Sequence, residues 1–202
     1  MEYSEALSRI TEIHEHLAKG EVYRGFRSMP VALSGACGLA AAAVQERVVA
    51  ADDPLGAVVF WLVVAAVGGV IGVSETAYNY LFRDDPFSRR RTRKVVGQFG
   101  PCLVAGAAVT AGLFHAGEGA VISLLPGLWA ILFGLGIFSA RPYLPRAIGW
   151  VGLYYLAAGF RLLMLAREVE GLSGWAVGGT FAAGQLASAL VLYWNLERKD
   201  HG

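Results

Sequence analysis

The side chains able to do chemistry in this chain are few, and most of them stand inside long apolar stretches. Glu75 lies in Ser74-Glu75-Thr76-Ala77-Tyr78-Asn79, and Arg161 follows Gly159-Phe160. A charge within an apolar helix is expensive, which makes each of them a functional candidate by default. At helical spacing Glu75 shares a stripe with Gly68, Gly72 and Asn79, and Arg161 aligns with Tyr154 and Ala158. Amides repeat the pattern: Gln98 with Cys102 and Gly106, Gln185 with Gly178, Phe181, Ser188 and Asn195, and Gln45 with Ser34, Gly38 and Ala41. Turned inward, such stripes either fix a bundle by interhelical hydrogen bonds, worth about 0.6 kcal/mol each, or line a polar cavity. In a cavity, Arg161 meets an anionic group of a small solute or lipid. Glu75, Asn79, Gln98 and Gln185 then supply hydrogen bonds or a proton-linked gate, and Tyr154 stands on the wall. Glu75 and Arg161 fall at different depths, so the expected partners of Glu75 are Arg24, Arg27 or Arg93. Those of Arg161 are Glu46, Glu118 or Glu168.

Other chemistries find little to work with. The four histidines are His14, His16, His115 and His201. No two lie within apolar segments, which disfavours a bis-histidine haem. His-Glu-x-x-His and Gly-x-Ser-x-Gly are both absent. Glu12 and His16 share a helical face while His14 points elsewhere, so Glu12-Ile-His14-Glu15-His16 reads as a charged surface rather than a metal site. Cys37 and Cys102 sit in apolar runs, where a thiol behaves as a small apolar residue. No metal, cofactor or enzymatic activity is expected. A membrane-embedded lipid enzyme lacks the acid–base constellation it needs.

The elements that must carry these residues follow from length and composition. The 202 residues are 55% apolar and 16% charged, with a formal net charge of +1. An ordinary soluble domain is about a quarter charged. Six stretches approach the roughly 20 apolar residues that a bilayer-spanning helix requires: 30–50, 55–82, 95–116, 119–140, 145–166 and 174–196. The first is shortened by Gln45, Glu46 and Arg47, and the second is long enough to tilt. The expected fold is all-α, a polytopic bundle of six transmembrane helices. It divides into an N-terminal segment 1–28, a spanning domain 29–197 and a tail 198–202. The polar first 28 residues carry no secretory signal, so the first span is expected to act as the targeting signal. Residues 4–19 read as an amphipathic surface helix, with Leu7, Ile10, Ile13 and Leu17 on one face.

Basic residues set the orientation. Arg9, Lys19, Arg24 and Arg27 precede span one, and Arg83, Arg89, Arg90, Arg91, Arg93 and Lys94 separate spans two and three. Arg141 and Arg146 separate spans four and five, and Arg198 and Lys199 follow span six, placing 14 of the 17 basic residues on one side. Both termini are therefore expected in the cytoplasm, with the chain multi-pass in an inner (plasma) membrane. The run Arg89, Arg90, Arg91, Arg93 and Lys94 is expected to meet anionic lipid headgroups. Nucleic acid is not an expected partner, because the run has no interleaved aromatic residues.

Of the 26 glycines, many stand in spans as packing sites, and Gly174-Trp-Ala-Val-Gly178 is a GxxxG expected to serve internal packing. Two groups of three spans would be inverted relative to one another, although no repeated motif aligns. Trp150, Trp175, Tyr193 and Trp194 fall near span ends as interfacial anchors. These observations favour a six-span protein that binds or transports a small solute or lipid through a polar, Gly-lined interior. The alternative is a non-catalytic structural or regulatory subunit. Its N-terminal helix and basic loop would dock a soluble cytoplasmic partner, or copies of the chain would form a homo-oligomer.

Overall fold

The computed structural model describes residues 27–50, 52–82, 86–116, 122–166 and 172–198. The amphipathic helix expected at 4–19 lies outside them. Among the described residues the chain is all-α, with six helices long and apolar enough to cross a membrane. They are α1 Ser28–Val48, α2 Pro54–Phe82, α3 Pro86–Ala116, α4 Leu125–Ala140, α5 Ile148–Leu165 and α6 Trp175–Glu197.

The boundaries have local causes. Asp53 accepts a hydrogen bond from the Gly56 N–H at 2.8 Å and caps α2, with Pro54 in the first turn. The Ser173 hydroxyl accepts from the Ala176 N–H at 3.4 Å where α6 begins. α3 starts nine residues before its expected apolar span, because helix continues through the basic run. Only apolarity, not helicity, stops at Lys94. Pro101 lies inside α3 and removes the hydrogen bond that would reach the Gly97 carbonyl. α6 is wound as π-helix at both ends, Trp175–Gly179 and Tyr193–Glu197, around an α-helical middle, Thr180–Leu192.

The helices form a ring in chain order, with α6 closing on α1. α1 lies tightly on α2, α3 on α4, α4 on α5 and α6 on α1. The α2–α3 seam has few contacts, and the α5–α6 seam is spaced by the buried Tyr155 ring lying against Gly184. Glycines set the tight seams, as small residues do where helices must approach closely. Gly134 lies against the Gly152 carbonyl, and Gly178 against the Gly38 carbonyl, Ala42 and Trp61. Gly174 faces Ala42 and Gln45, so the GxxxG serves the α1–α6 seam inside the bundle.

At one end Ala42, Val58, Trp61, Leu125, Leu172 and Val177 form a buried cluster. The middle is filled by Ala130, Val151 and the fully buried Tyr155, with Phe99, Phe133 and Phe181 packed around them. Ring centroids in this group lie 4.9–5.6 Å apart. Val31, Ala189, Leu192 and Leu196 close the other end. The outward surface carries Leu33, Val59, Val63, Val70 and Val104. Such a surface suits hydrocarbon rather than water. Trp150, Trp175, Tyr193 and Trp194 are exposed near helix ends, as interfacial anchors would be.

Candidate functional site

Charge is segregated along the bundle. Arg27, the run from Arg89 to Lys94, Arg141, Arg146 and Arg198 lie at the end where α1 begins and α6 finishes, here termed the basic end. Arg47 and Arg161 lie toward the far end. Glu75 pairs with Arg27 through an Nε–Oε1 distance of 3.4 Å, one of its expected partners. Both side chains are half exposed, so the pair is a weak tether of α1 to α2. Glu197 at the end of α6 makes a firmer tie. Its two carboxylate oxygens accept from the Ser28 N–H and hydroxyl, each at 2.8 Å. The carboxylate thus caps α1 from another helix, where a helix N-terminus favours negative charge. Sequence spacing gave no sign of it, since 169 residues separate the two.

The polar residues expected to share one interior do not meet at one point. Arg161 is exposed on α5, four residues from its far end, and is remote from Glu75. Gln98 is exposed on α3 and accepts a 3.4 Å hydrogen bond from the Ser139 hydroxyl of α4. Gln185 is half-buried, with its Cβ against Gly35 of α1. Asn79 is half-buried one helical turn beyond Glu75 on α2. The Tyr154 hydroxyl donates to the Thr180 carbonyl at 3.0 Å and so joins α5 to α6. The stripes diverge because each faces a different neighbour around a ring whose centre aromatic rings occupy.

Another amide does the bridging at the far end. Buried Gln45 donates through Nε2 to the Leu172 carbonyl at 2.7 Å, and its Oε1 accepts from Trp61 Nε1 at 2.5 Å. One side chain thereby ties α1 to α2 and to the approach to α6. Trp129 Nε1 similarly donates to the Thr110 hydroxyl at 2.9 Å, holding α4 on α3.

The α2–α3 seam differs from these joints. By helical periodicity Leu62, Gly69, Val73 and Tyr80 share one face of α2, and Arg89, Arg93, Val96, Gly100 and Leu103 share one face of α3. At the basic end the two faces meet. Arg93 donates to the Tyr80 hydroxyl at 3.4 Å, and Arg89 donates to the Leu81 carbonyl at 3.2 Å. The Arg89 guanidinium also lies 5.8 Å from the Tyr80 ring centroid. At the far end Val109 and Leu113 of α3 pack on the cluster that holds Val58 and Trp61. Between these contacts the apolar side chains of the two faces are exposed to a degree similar to that of the outward surface. Leu62, Val73, Val96 and Leu103 are each between 44% and 55% exposed. A methyl group added at Gly69 or Gly100 would meet nothing within 4 Å.

Among the described residues no group of three or more histidine, cysteine, aspartate or glutamate side chains is placed to hold a metal ion. No protein-family model, curated protein or solved structure matches this chain.

Proposed function

We propose that this chain is a six-span protein of a cytoplasmic (plasma) membrane, with both termini on the cytoplasmic side. It binds an anionic amphiphile, a lipid or a lipid-like solute, and moves it along the α2–α3 seam without covalent chemistry. The membrane assignment is supported by the six apolar helices, their apolar outward surface and the gathering of basic residues at one end.

The reading rests on the sparse contact between α2 and α3 away from the basic end and on the exposed apolar residues there. Consecutive helices usually bury their shared faces, yet here both walls stay uncovered over several turns. α3 is the least buried of the six spans. Its Pro101 stands beside Gly100, at the level where bending would widen or narrow the seam. On this reading Asn79 and Gln98 flank the basic mouth of the seam, and Glu75 with Arg27 steadies the α1–α2 wall. Gln185 lies deeper, against α1. Arg161 belongs to the far end of α5.

The test narrows the seam without disturbing the packing. Gly69→Leu and Gly100→Leu add bulk where the structure has room, so both variants fold. In proteoliposomes, passage of a fluorescently labelled phosphatidylglycerol between leaflets is expected to slow by about tenfold or more in either variant, the scale of one lost hydrophobic fit. An unchanged rate in both variants refutes the reading.

A further inference from the structure

We propose that Arg161 holds the phosphate of a phospholipid in the leaflet at the far end of the bundle. The inference rests on the membrane assignment made above and not on the α2–α3 seam.

The geometry begins with the face of α5 that carries the residue. Leu153, Ala157, Phe160, Arg161 and Met164 are exposed and share one side of the helix, while Val151, Tyr155 and Gly159 on the other side are buried. Arg161 therefore stands on outward apolar surface. Charged side chains within spans almost always turn inward or pair with one another. Arg161 does neither: among the described residues it makes no hydrogen bond, ion pair or ring contact. Glu46, one of its expected partners, does not meet it, and the other two, Glu118 and Glu168, lie outside the described residues. A guanidinium on such a surface calls for an anion, and its planar fork and weak hydration match phosphate oxygens.

Two contacts fix the level of Arg161. Gly127, in the first turn of α4, lies against the Gly159 carbonyl and Leu163, which bracket Arg161 on α5. The Tyr155 hydroxyl donates to the Phe181 carbonyl at 3.2 Å, and six residues further toward the far end stand Arg161 on α5 and Trp175 on α6. Arg161 is thus level with the first turns of both α4 and α6, and with a tryptophan that is 57% exposed. Tryptophan gathers at the depth of the headgroups, and from that depth an arginine can lay its stem along apolar surface and keep its head among phosphates. Exposed Phe160 and Met164 place the rest of this face in hydrocarbon, which selects a lipid over a free anion. Net charge does not draw anions to this end. Residues 46–53, 117–121 and 166–171 hold six acidic side chains against two basic ones. A phosphate held there is held by a direct bond.

The experiment releases the full-length protein from phosphatidylcholine nanodiscs and counts retained lipid by native mass spectrometry. Phosphatidylcholine carries no net charge, so general attraction to a charged surface plays no part. Arg161→Gln is expected to weaken retention of one lipid by about tenfold, the scale of a charge-assisted hydrogen bond. Arg161→Lys keeps the charge without the fork and is expected to lose several-fold. Arg47→Gln, an equal loss of charge at an exposed residue of the same end, is expected to retain lipid as the wild type does. Wild-type retention in Arg161→Gln, or an equal loss in Arg47→Gln, overturns the site. Wild-type retention joined to weaker resistance to sodium dodecyl sulfate assigns the arginine to a protein carboxylate instead. Displacement of the lipid by millimolar inorganic phosphate overturns the choice of a lipid, and a dimer that disappears in Arg161→Gln overturns it in favour of a second copy of the chain. Failure here and failure of the seam are distinct. Normal lipid passage in Gly69→Leu and Gly100→Leu, together with Arg161-dependent retention, removes the seam as a route and leaves this site standing. Recovery of the protein in the soluble fraction without detergent overturns both.

Discussion

Replacing Gly178 by alanine tests a close helix–helix approach in the bundle, and its neighbour supplies the control. At Gly178 a new methyl would stand 2.5 Å from the Gly38 carbonyl oxygen and 2.7 Å from both Ala42 Cβ and the Trp61 ring. None of these atoms is the end of a flexible side chain. A close-packed interior does not absorb such an overlap, so α1 and α6 must part by on the order of 1 Å. Parting them also strains the 2.7 Å bond from Gln45 to the Leu172 carbonyl, which spans the same joint. Overpacking of this kind costs about 1–3 kcal/mol. Relief of the poor helix propensity of glycine returns at most about 1 kcal/mol. Steric overlap wins, with a net loss of about 1–2 kcal/mol. At Gly179 an added methyl meets nothing within 4 Å, and Gly179→Ala is expected to be neutral or slightly stabilising. Unfolding by sodium dodecyl sulfate in mixed micelles, followed by tryptophan fluorescence, measures both, with Trp61 reporting from the joint itself. Equal stability of the two variants would refute the close approach of α6 to Gly38.

Three further outcomes follow from the hydrogen bonds. Gln45→Leu removes two interhelical bonds at about 0.6 kcal/mol each and leaves the Leu172 carbonyl bare. The same unfolding assay should show a loss of 1 kcal/mol or more, by the cost of an unpaired buried acceptor; wild-type stability would mean the amide is solvated. Glu197→Gln keeps an acceptor for Ser28 but loses the charge at the start of α1, for a cost of about 0.3–1 kcal/mol. Hydrogen exchange at the first turn of α1 should quicken while the α4–α5 seam stays protected, and uniform exchange would deny the local cap. The Arg27–Glu75 pair is half exposed, so a double-mutant cycle should give a coupling below about 1 kcal/mol that fades with salt. A larger, salt-independent coupling would mean a buried pair.

Periodicity and charge made the helices legible, while the joints needed coordinates. α1, α2, α5 and α6 begin and end within three residues of their expected bounds, because their apolar runs coincide with their helical runs. α3 does not, because arginine and lysine are good helix formers and the helix runs through them. Pairing of Glu75 with Arg27 was legible because both sit at one depth. Gln45 was visible as part of a stripe, but its partners, a tryptophan and a backbone carbonyl, carry no polar signal in sequence. The opened seam was illegible for a related reason. Gly69 reads as a packing glycine like Gly134 and Gly178, and only the helix opposite decides whether such a residue is a contact or a space.

The structure also shows what most of the polar side chains are for. Gln45 serves the Leu172 carbonyl, Tyr154 that of Thr180, Tyr155 that of Phe181, Asn195 that of Val191 and Thr110 that of Gly106. Thr180 and Phe181 come directly after the π-turn Trp175–Gly179, where the backbone register returns to α-helix. There the two tyrosine hydroxyls of α5 tie it to α6. Tyr154 is thereby accounted for without a ligand, and the aromatic centre around Tyr155 with it. The α2–α3 seam has fewer such ties: at the basic end Arg93 donates to the Tyr80 hydroxyl and Arg89 to the Leu81 carbonyl. The ligand route proposed above rests on that contrast between polar groups committed to backbone carbonyls and a sparsely packed seam headed by two arginines.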